Sequence, residues 1–277
     1  MRGVDVSRGF YEREVAPLLR GIPHAAGRIG RGSDVLGLDD EMSQDHDWGD
    51  RVTVITSHAT PPLPAGVERY TLEEFVRSHL TVAPIDAIDW LLLTGQSVLE
   101  VIAGPVFRDD TGELTALRSK LQWYPDDVHD YVVASQWKRI DQELPFVGRT
   151  AMRGDELGSR VIVNRLARDV MHLTMLLERQ WSPYPKWFGT AYGWRGHTLD
   201  SERSICAALD ELAGRPVTVP FHDRPFKTVD PAFLASLPKG LPLPVGIGSV
   251  EQWCDNVDVL GRRMALRAAY EAWMNGR

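Results

Sequence analysis

The stretch GSDVLGLDDEMSQDHDWGDRV, residues 32–52, is the part of the sequence that is most informative about the fold and the chemistry. From Gly32 to Asp50 it holds seven carboxylates and neither Lys nor Arg. So many like charges repel one another, and a hard divalent cation bound by carboxylate oxygens would relieve that repulsion. A solvated acidic loop is the plain alternative.

Three features of this stretch favour a metal site. Asp45 and Asp47 flank His46, so in an extended backbone both carboxylates point to one side and can share an ion. The β-branched run at 51–56 follows and predicts a strand beside them. Upstream, Gly32 and Ser33 lie in a glycine-rich turn whose backbone N–H groups and hydroxyl suit phosphate oxygens. These features predict a divalent metal ion next to a phosphate-binding turn.

Composition narrows the class of protein. The chain has 277 residues, 43% of them hydrophobic and 25% charged, which is typical of globular domains and excludes collagen-like, disordered and coiled-coil chains. Only Cys206 and Cys254 are present, without metal-ligand spacing, which argues against zinc sites and disulfide scaffolds. A net charge of -7 disfavours long nucleic acid as a partner. With no long apolar run and no signal-like N-terminus, we expect a cytoplasmic protein without a membrane partner.

The hydrophobic period changes along the chain. Strands are predicted at 51–56 and 67–71, and helices at 72–80 and 87–103. From about Thr115 the period becomes 3.6. A long helix ended by Pro183 is predicted to bury one apolar face, formed by Leu157, Val161, Leu166, Val170, Leu173 and Leu177. A second such pattern runs from Trp253 to Ala268. We therefore expect an α/β part at 1–115 and a helical part at 116–277.

A Gly-Ser turn followed about a dozen residues later by Asp-x-Asp resembles the signature of the DNA-polymerase-β-like nucleotidyltransferases, which include kanamycin nucleotidyltransferase. The full stretch resembles more closely a bacterial branch of that superfamily catalogued as a domain of unknown function. Further similar stretches are VFRDDTGELTALR (106–118), WYPDDV (123–128), VGRTAMRGDELGSR (147–160) and PYPKWFGTA (183–191). The resemblance implies an α+β fold: a nucleotidyltransferase domain with a small mixed sheet at 1–115, then a helical-bundle substrate-binding domain at 116–277.

The resemblance also assigns residues. Gly32 and Ser33 would hold the β and γ phosphates of a nucleoside triphosphate, expected to be ATP, while Asp45 and Asp47 would coordinate Mg²⁺ and serve catalysis. Lys186, just after the long helix, would present its ammonium to the triphosphate. The alternative for Lys186 is a side chain that covers Trp187.

A third carboxylate from a later strand is also implied, to help hold the metal and accept the acceptor's proton. Glu68 on the next predicted strand and Asp109 are the two candidates, and the choice between them stays open. Arg165 and His172 share a helix face at a spacing similar to that of a ribonuclease motif, but chance is the better explanation, because such a pair is common on a helix.

The resulting hypothesis is a Mg²⁺-dependent enzyme that transfers a nucleoside monophosphate, AMP if the donor is ATP, to a hydroxyl of a small-molecule or macromolecular acceptor and releases pyrophosphate. One alternative is a catalytically decayed module that binds a nucleotide without turning it over. Another is a toxin-like nucleotidyltransferase that acts on RNA or protein.

Overall fold

The fold is mixed α+β, with a small four-stranded sheet and many helices. The computed structural model describes residues 2–39, 49–81, 83–193 and 196–276. Contacts group the chain into a first unit, Met1–Pro84 with Gly95–Trp123, and a second unit, Ile85–Thr94 with Tyr124–Arg277. The predicted assignment of 1–115 to a transferase domain and 116–277 to a substrate-binding domain stays a prediction.

The sheet belongs to the first unit. Its strands are β1 (Ala25–Gly27), β2 (Val52–Ile55), β3 (Val67–Tyr70) and β4 (Val106–Asp109), in the order β3-β2-β1-β4. β2 and β3 are parallel, whereas β1 is antiparallel to both β2 and β4. The predicted strands β2 and β3 are confirmed. β1 was missed because its sequence, Ala-Ala-Gly, has little strand propensity and depends on pairing with a strand on each side.

Helix α1 (Gly3–Phe10) covers part of this sheet and continues as a π-helical turn over Tyr11–Val15. Its apolar side chains share one buried cluster with the sheet residues Ala26, Val52 and Val54. All four residues of β2 are buried, so both faces of this strand are shielded from water. The sheet is thus the core of the first unit.

Three more helices complete the first unit: α2 (Leu72–Leu80), α4 (Gly95–Ile102) and α5 (Glu113–Lys120). Thr71 and Glu74 form a capping box at the start of α2. The prediction of a single helix at 87–103 is wrong. Its first part is a separate helix, α3 (Ala87–Leu92), which belongs to the second unit and ends where Leu93 adopts an extended backbone.

The second unit is built around α6 (Asp126–Ala151) and α7 (Glu156–Leu177), which pack along each other. Around them lie α8 (Pro185–Tyr192), α9 (Glu202–Leu212), the antiparallel strands β5 (Thr218–Pro220) and β6 (Lys227–Val229), and α10 (Pro231–Ser236). Short pieces follow: α11 (Val250–Trp253), α12 (Val257–Leu260), a 3₁₀ turn (Arg263–Leu266) and α13 (Arg267–Met274). The pattern predicted from Trp253 to Ala268 is therefore not one continuous helix.

The long predicted helix is confirmed as α7, but its apolar face is buried only in part. Leu166, Val170 and Leu173 are fully buried, whereas Leu157 is 75% exposed and Val161 is 51% exposed. The periodicity indicated the helix correctly but overestimated how much of it is packed. No described helix is both long enough and apolar enough to span a membrane.

Candidate functional site

The turn that follows β1 is closed from inside by a buried ion pair. Arg28 Nε donates to Asp34 Oδ2 at 2.8 Å, and Arg28 Nη2 donates to Asp34 Oδ1 at 2.7 Å. The two side chains are only 5% and 2% exposed. Such a bidentate pair fixes both position and orientation of its partners. The shape of the turn is therefore set by these two residues.

Gly32 lies directly over this ion pair. Its φ of 129° lies in a region that L side chains rarely adopt, and a β-carbon there would overlap the Arg28 guanidinium and the Asp34 carboxylate. The neighbouring Ser33 carbonyl accepts hydrogen bonds from the N–H groups of Leu36 and Leu38, at 3.1 and 3.0 Å. The turn therefore needs glycine at position 32, for backbone conformation and for space.

An open cavity of about 200 Å³ lies beside this turn, which is smaller than most small-molecule sites. The turn, β2, β3 and α2 of the first unit all contribute to its wall. Its ionisable lining residues are Arg28, Arg31, Arg51, Glu68, Tyr70 and His79. The described lining residues include three guanidinium groups and one carboxylate, and Arg28 is already paired with Asp34. The described lining therefore has only a small positive excess, which favours an anionic ligand.

Glu68 lies on β3, with its Cα paired to Thr53 of β2, and lines this cavity. Its Oε2 accepts a hydrogen bond from the Tyr70 hydroxyl at 3.0 Å, and its Oε1 lies 3.7 Å from Nη1 of Arg51. Burial and, next, the hydrogen bond to Glu68 raise the pKa of Tyr70. Tyr70 therefore stays a neutral donor that helps to orient the Glu68 carboxylate.

Asp109 lies at the other end of β1. It pairs with Ala25, whereas Gly27 at the opposite end of the strand leads into the turn. Its carboxylate accepts hydrogen bonds from the N–H groups of Gly112 and Thr115, at 3.0 and 2.9 Å, and from the Thr115 hydroxyl at 2.7 Å. The structure thus brings Glu68 to the cavity and uses Asp109 to hold the turn before α5.

The predicted metal ligands Asp45 and Asp47 lie outside the described residues, as does His46. Description resumes at Gly49, and Arg51 and Val52 line the cavity only a few residues later in the chain. Within the described ranges, no group of three or more His, Cys, Asp or Glu side chains is placed to hold a metal ion. Mg²⁺ binding by the Asp45 and Asp47 pair stays a prediction.

Lys186 belongs to the second unit, at the start of α8. Its Nζ lies 4.8 Å from the centre of the Trp187 ring, within range of a cation–π interaction. Covering Trp187, the alternative considered for this lysine, is therefore what the described contacts show. A role for Lys186 toward the triphosphate stays a prediction.

A further pair of side chains, of which His79 lines the cavity, is not indicated by any sequence pattern. His79 of α2 hydrogen-bonds Glu100 of α4, with 2.8 Å between Nδ1 and Oε2. The two residues are 21 positions apart and lie on different helices, so no local spacing pattern links them. Only the packing of α2 beside α4 brings them together.

Arg165 and His172 meet different partners. Arg165 is exposed and donates to Glu143 Oε1 at 2.8 Å, whereas His172 is buried with its ring 4.4 Å from the Phe188 ring, centre to centre. Burial, and then the charges of Arg168 and Arg139, lower the pKa of His172 to about 3. His172 is therefore a neutral packing residue at physiological pH.

Because His172 is buried in its neutral form, we expect the folded protein to lose stability at acid pH. Below pH 6.5 an unfolded His172 takes up a proton that the folded form refuses down to about pH 3, so stability is lost as pH falls. We expect the free energy of unfolding in urea to fall more steeply between pH 6.5 and 4.5 for the wild type than for His172→Gln, by up to about 1.4 kcal/mol per pH unit. Equal slopes would contradict this. The exposed pair His197 and Glu211 provides the control variant His197→Gln.

Residues 90–188 match the model of a domain of unknown function, DUF4037. The matched segment begins after β3, so it contains Asp109 and Lys186 but not the Gly32 turn, Asp45, Asp47 or Glu68. The chain is also similar to the nucleotidyltransferase-like protein from Exiguobacterium sibiricum 255-15, with a TM-score of 0.34 and 15% identity, covering 76% of this chain and 73% of that chain. A comparison with curated proteins found no match.

Proposed function

We propose that the chain is a Mg²⁺-dependent nucleotidyltransferase of the DNA-polymerase-β-like superfamily, on the branch related to kanamycin nucleotidyltransferase. It would transfer AMP from ATP to a hydroxyl of a small-molecule or macromolecular acceptor. The observation that carries this proposal is the Gly32 turn beside an arginine-lined cavity that Glu68 also lines. The Asp45-x-Asp47 pair supports it from the sequence.

The arrangement suits transfer to a hydroxyl group. The acceptor oxygen would form a bond to the α-phosphorus, and the bond from that phosphorus to the α–β bridging oxygen would break. Pyrophosphate leaves with that electron pair, and the hydroxyl proton passes to the Glu68 carboxylate. Gly32 and Ser33 would hold the β and γ phosphates against the charge that develops on the leaving group. Mg²⁺ bound by Asp45 and Asp47 would neutralise part of that charge.

The proposal is tested by incubating the full chain with Mg²⁺, labelled ATP and metabolite extracts. We expect pyrophosphate release and, by mass spectrometry, an acceptor that has gained a nucleoside monophosphate. Calorimetric binding of ATP without pyrophosphate release, with extracts, RNA or protein as acceptor, would favour the decayed binding module instead. Labelling of RNA or protein alone would favour the toxin-like alternative.

The choice between Glu68 and Asp109 gives a separate prediction. We expect Glu68→Gln to reduce the rate of pyrophosphate release by about 10²–10⁴-fold, since it removes the proposed proton acceptor. The loss should be much smaller for Asp109→Asn, which instead weakens hydrogen bonds to Gly112 and Thr115 and should lower the melting temperature. A larger rate loss in Asp109→Asn, measured at a temperature where both variants are folded, would reverse the assignment.

A further inference from the structure

Arg31 differs from the other two arginines that line the cavity. Arg28 is paired with Asp34. Arg51 lies near a carboxylate, with 3.7 Å between its Nη1 and Glu68 Oε1. Arg31 is exposed and lines the same cavity, yet it makes no hydrogen bond or ion pair within the described part of the chain. Among the guanidinium and carboxylate groups of the described lining, the positive excess is therefore the charge of Arg31.

The backbone on both sides of Arg31 is held by neighbouring groups. On one side, the Gly30 N–H donates to the backbone carbonyl of Glu100 at 2.8 Å. On the other side, Gly32 lies directly over the buried ion pair. Both glycines have a positive φ, 97° and 129°, which side chains would disfavour. The turn thus fixes the main chain of Arg31, whereas its side chain is exposed.

The charge of Arg31 acts on a second residue of the cavity wall. Burial, and then the hydrogen bond and charge of Glu68, raise the pKa of Tyr70, whereas the positive charge of Arg31 opposes this rise. Tyr70 and Arg31 both line the cavity, so this effect places the guanidinium near its interior. The cavity is smaller than most small-molecule sites, and it therefore suits a phosphate tail better than a whole nucleotide.

We propose that Arg31 binds the phosphate tail of the donor nucleotide through paired N–H···O hydrogen bonds and makes the affinity depend on the number of phosphates. A guanidinium is always charged, and its planar fork of N–H donors matches two phosphate oxygens. Each further phosphate adds negative charge that this cation attracts. The choice of a nucleoside triphosphate as ligand rests on the proposed function. Arg31 is thus a specificity-determining residue beside Gly32 and Ser33.

The test is calorimetry of the full chain with ATP, inorganic tripolyphosphate and inorganic pyrophosphate. The two inorganic probes are titrated with and without Mg²⁺, so that binding by Arg31 is measured apart from the ion predicted at Asp45 and Asp47. We expect Arg31→Gln to weaken ATP and tripolyphosphate by about 10–100-fold, because hydrogen bonds from a charged group are lost. Pyrophosphate should be weakened less. The melting temperature should not change, because the side chain makes no described hydrogen bond or ion pair.

Two further variants separate the shape of the guanidinium from its charge. Arg31→Lys keeps the positive charge but replaces the planar fork by a point charge, so its affinities should lie between those of the wild type and Arg31→Gln. Arg77→Gln removes an exposed arginine of α2 that does not line the cavity, and this matched control should bind every probe as the wild type does. Added salt should weaken the wild type more steeply than Arg31→Gln, because salt screens an exposed charge.

Pyrophosphate release from ATP, measured on the same preparations, separates this inference from the proposed function. Unchanged dissociation constants in folded Arg31→Gln would overturn the inference, even if the wild type releases pyrophosphate. An equal loss in Arg77→Gln would also overturn it, since the effect would then be one of general surface charge. Should Arg31→Gln fail to fold, Arg31→Lys decides alone. Tripolyphosphate binding that depends on Arg31, without pyrophosphate release, would support the inference and refute the transferase. A wild type that binds none of the probes would overturn both.

Discussion

Replacing both metal-ligand candidates, as in Asp45→Asn with Asp47→Asn, is expected to reduce pyrophosphate release by about 10³-fold or more. The two carboxylates are proposed to hold the charge that neutralises the leaving group, and loss of such electrostatic stabilisation has effects of this order. The fold should persist, because the change removes two of seven clustered negative charges and so relieves repulsion. Thermal unfolding and a pyrophosphate assay on the same preparations measure the two effects.

A matched control for this double variant is Asp50→Asn, which removes a negative charge from the same stretch without touching the Asp-x-Asp pair. We expect it to retain turnover within a few-fold of wild type. Mg²⁺ should raise the melting temperature of the wild type, through binding to the folded state, and removal of the ion with a chelator should reverse the shift. The double variant should show neither effect. Full turnover in the double variant would mean that the stretch is a solvated acidic loop.

Replacing Asp34 by Asn is expected to lower the free energy of unfolding by about 3–5 kcal/mol. The Arg28 guanidinium, 5% exposed, would lose its bidentate carboxylate and keep its buried charge. Asn preserves the shape of the side chain, so the loss measures charge rather than packing. Urea denaturation followed by circular dichroism gives the free energy directly.

The control for this second variant is Glu73→Gln, which removes an ion pair with Arg77 that is exposed on α2 of the same unit. Exposed pairs of this kind contribute about 0.3–0.5 kcal/mol. A loss for Asp34→Asn as small as that of the control would show that the ion pair does not hold the turn. The comparison thus separates the effect of the buried Arg28–Asp34 pair on stability from the effect of an exposed ion pair.

The parts of the fold that could be predicted are those in which local pattern and packing agree. β2 is a β-branched run and is buried on both faces, and α2 has both an amphipathic pattern and a capping box at Thr71. α7 was predicted from its period, yet Leu157 and Val161 are exposed, because period alone does not say which turns meet a partner. The break between α3 and α4 was missed because an apolar run over 87–103 fits one helix as well as two.

In the candidate site, too, some features could be predicted from the sequence and others depend on tertiary packing. Gly32 was recognised from its neighbours in sequence, and its positive φ gives the physical reason for a glycine there. Glu68 and Asp109 are near-equal candidates in the sequence, although only Glu68 lies on a predicted strand. The sheet order separates them, because β3 is parallel to β2 at the cavity, whereas Asp109 pairs with the far end of β1.

The sequence by itself determined the α+β class, the two main strands, the long helix α7 and the identity of the glycine turn, because each depends on residues close together in the chain. Tertiary structure alone decided which polar side chains meet: Arg28 with Asp34 beneath Gly32, and His79 with Glu100 across two helices. Burial sets the strength of these contacts, and burial depends on residues brought together from distant parts of the chain. No local pattern contains that information.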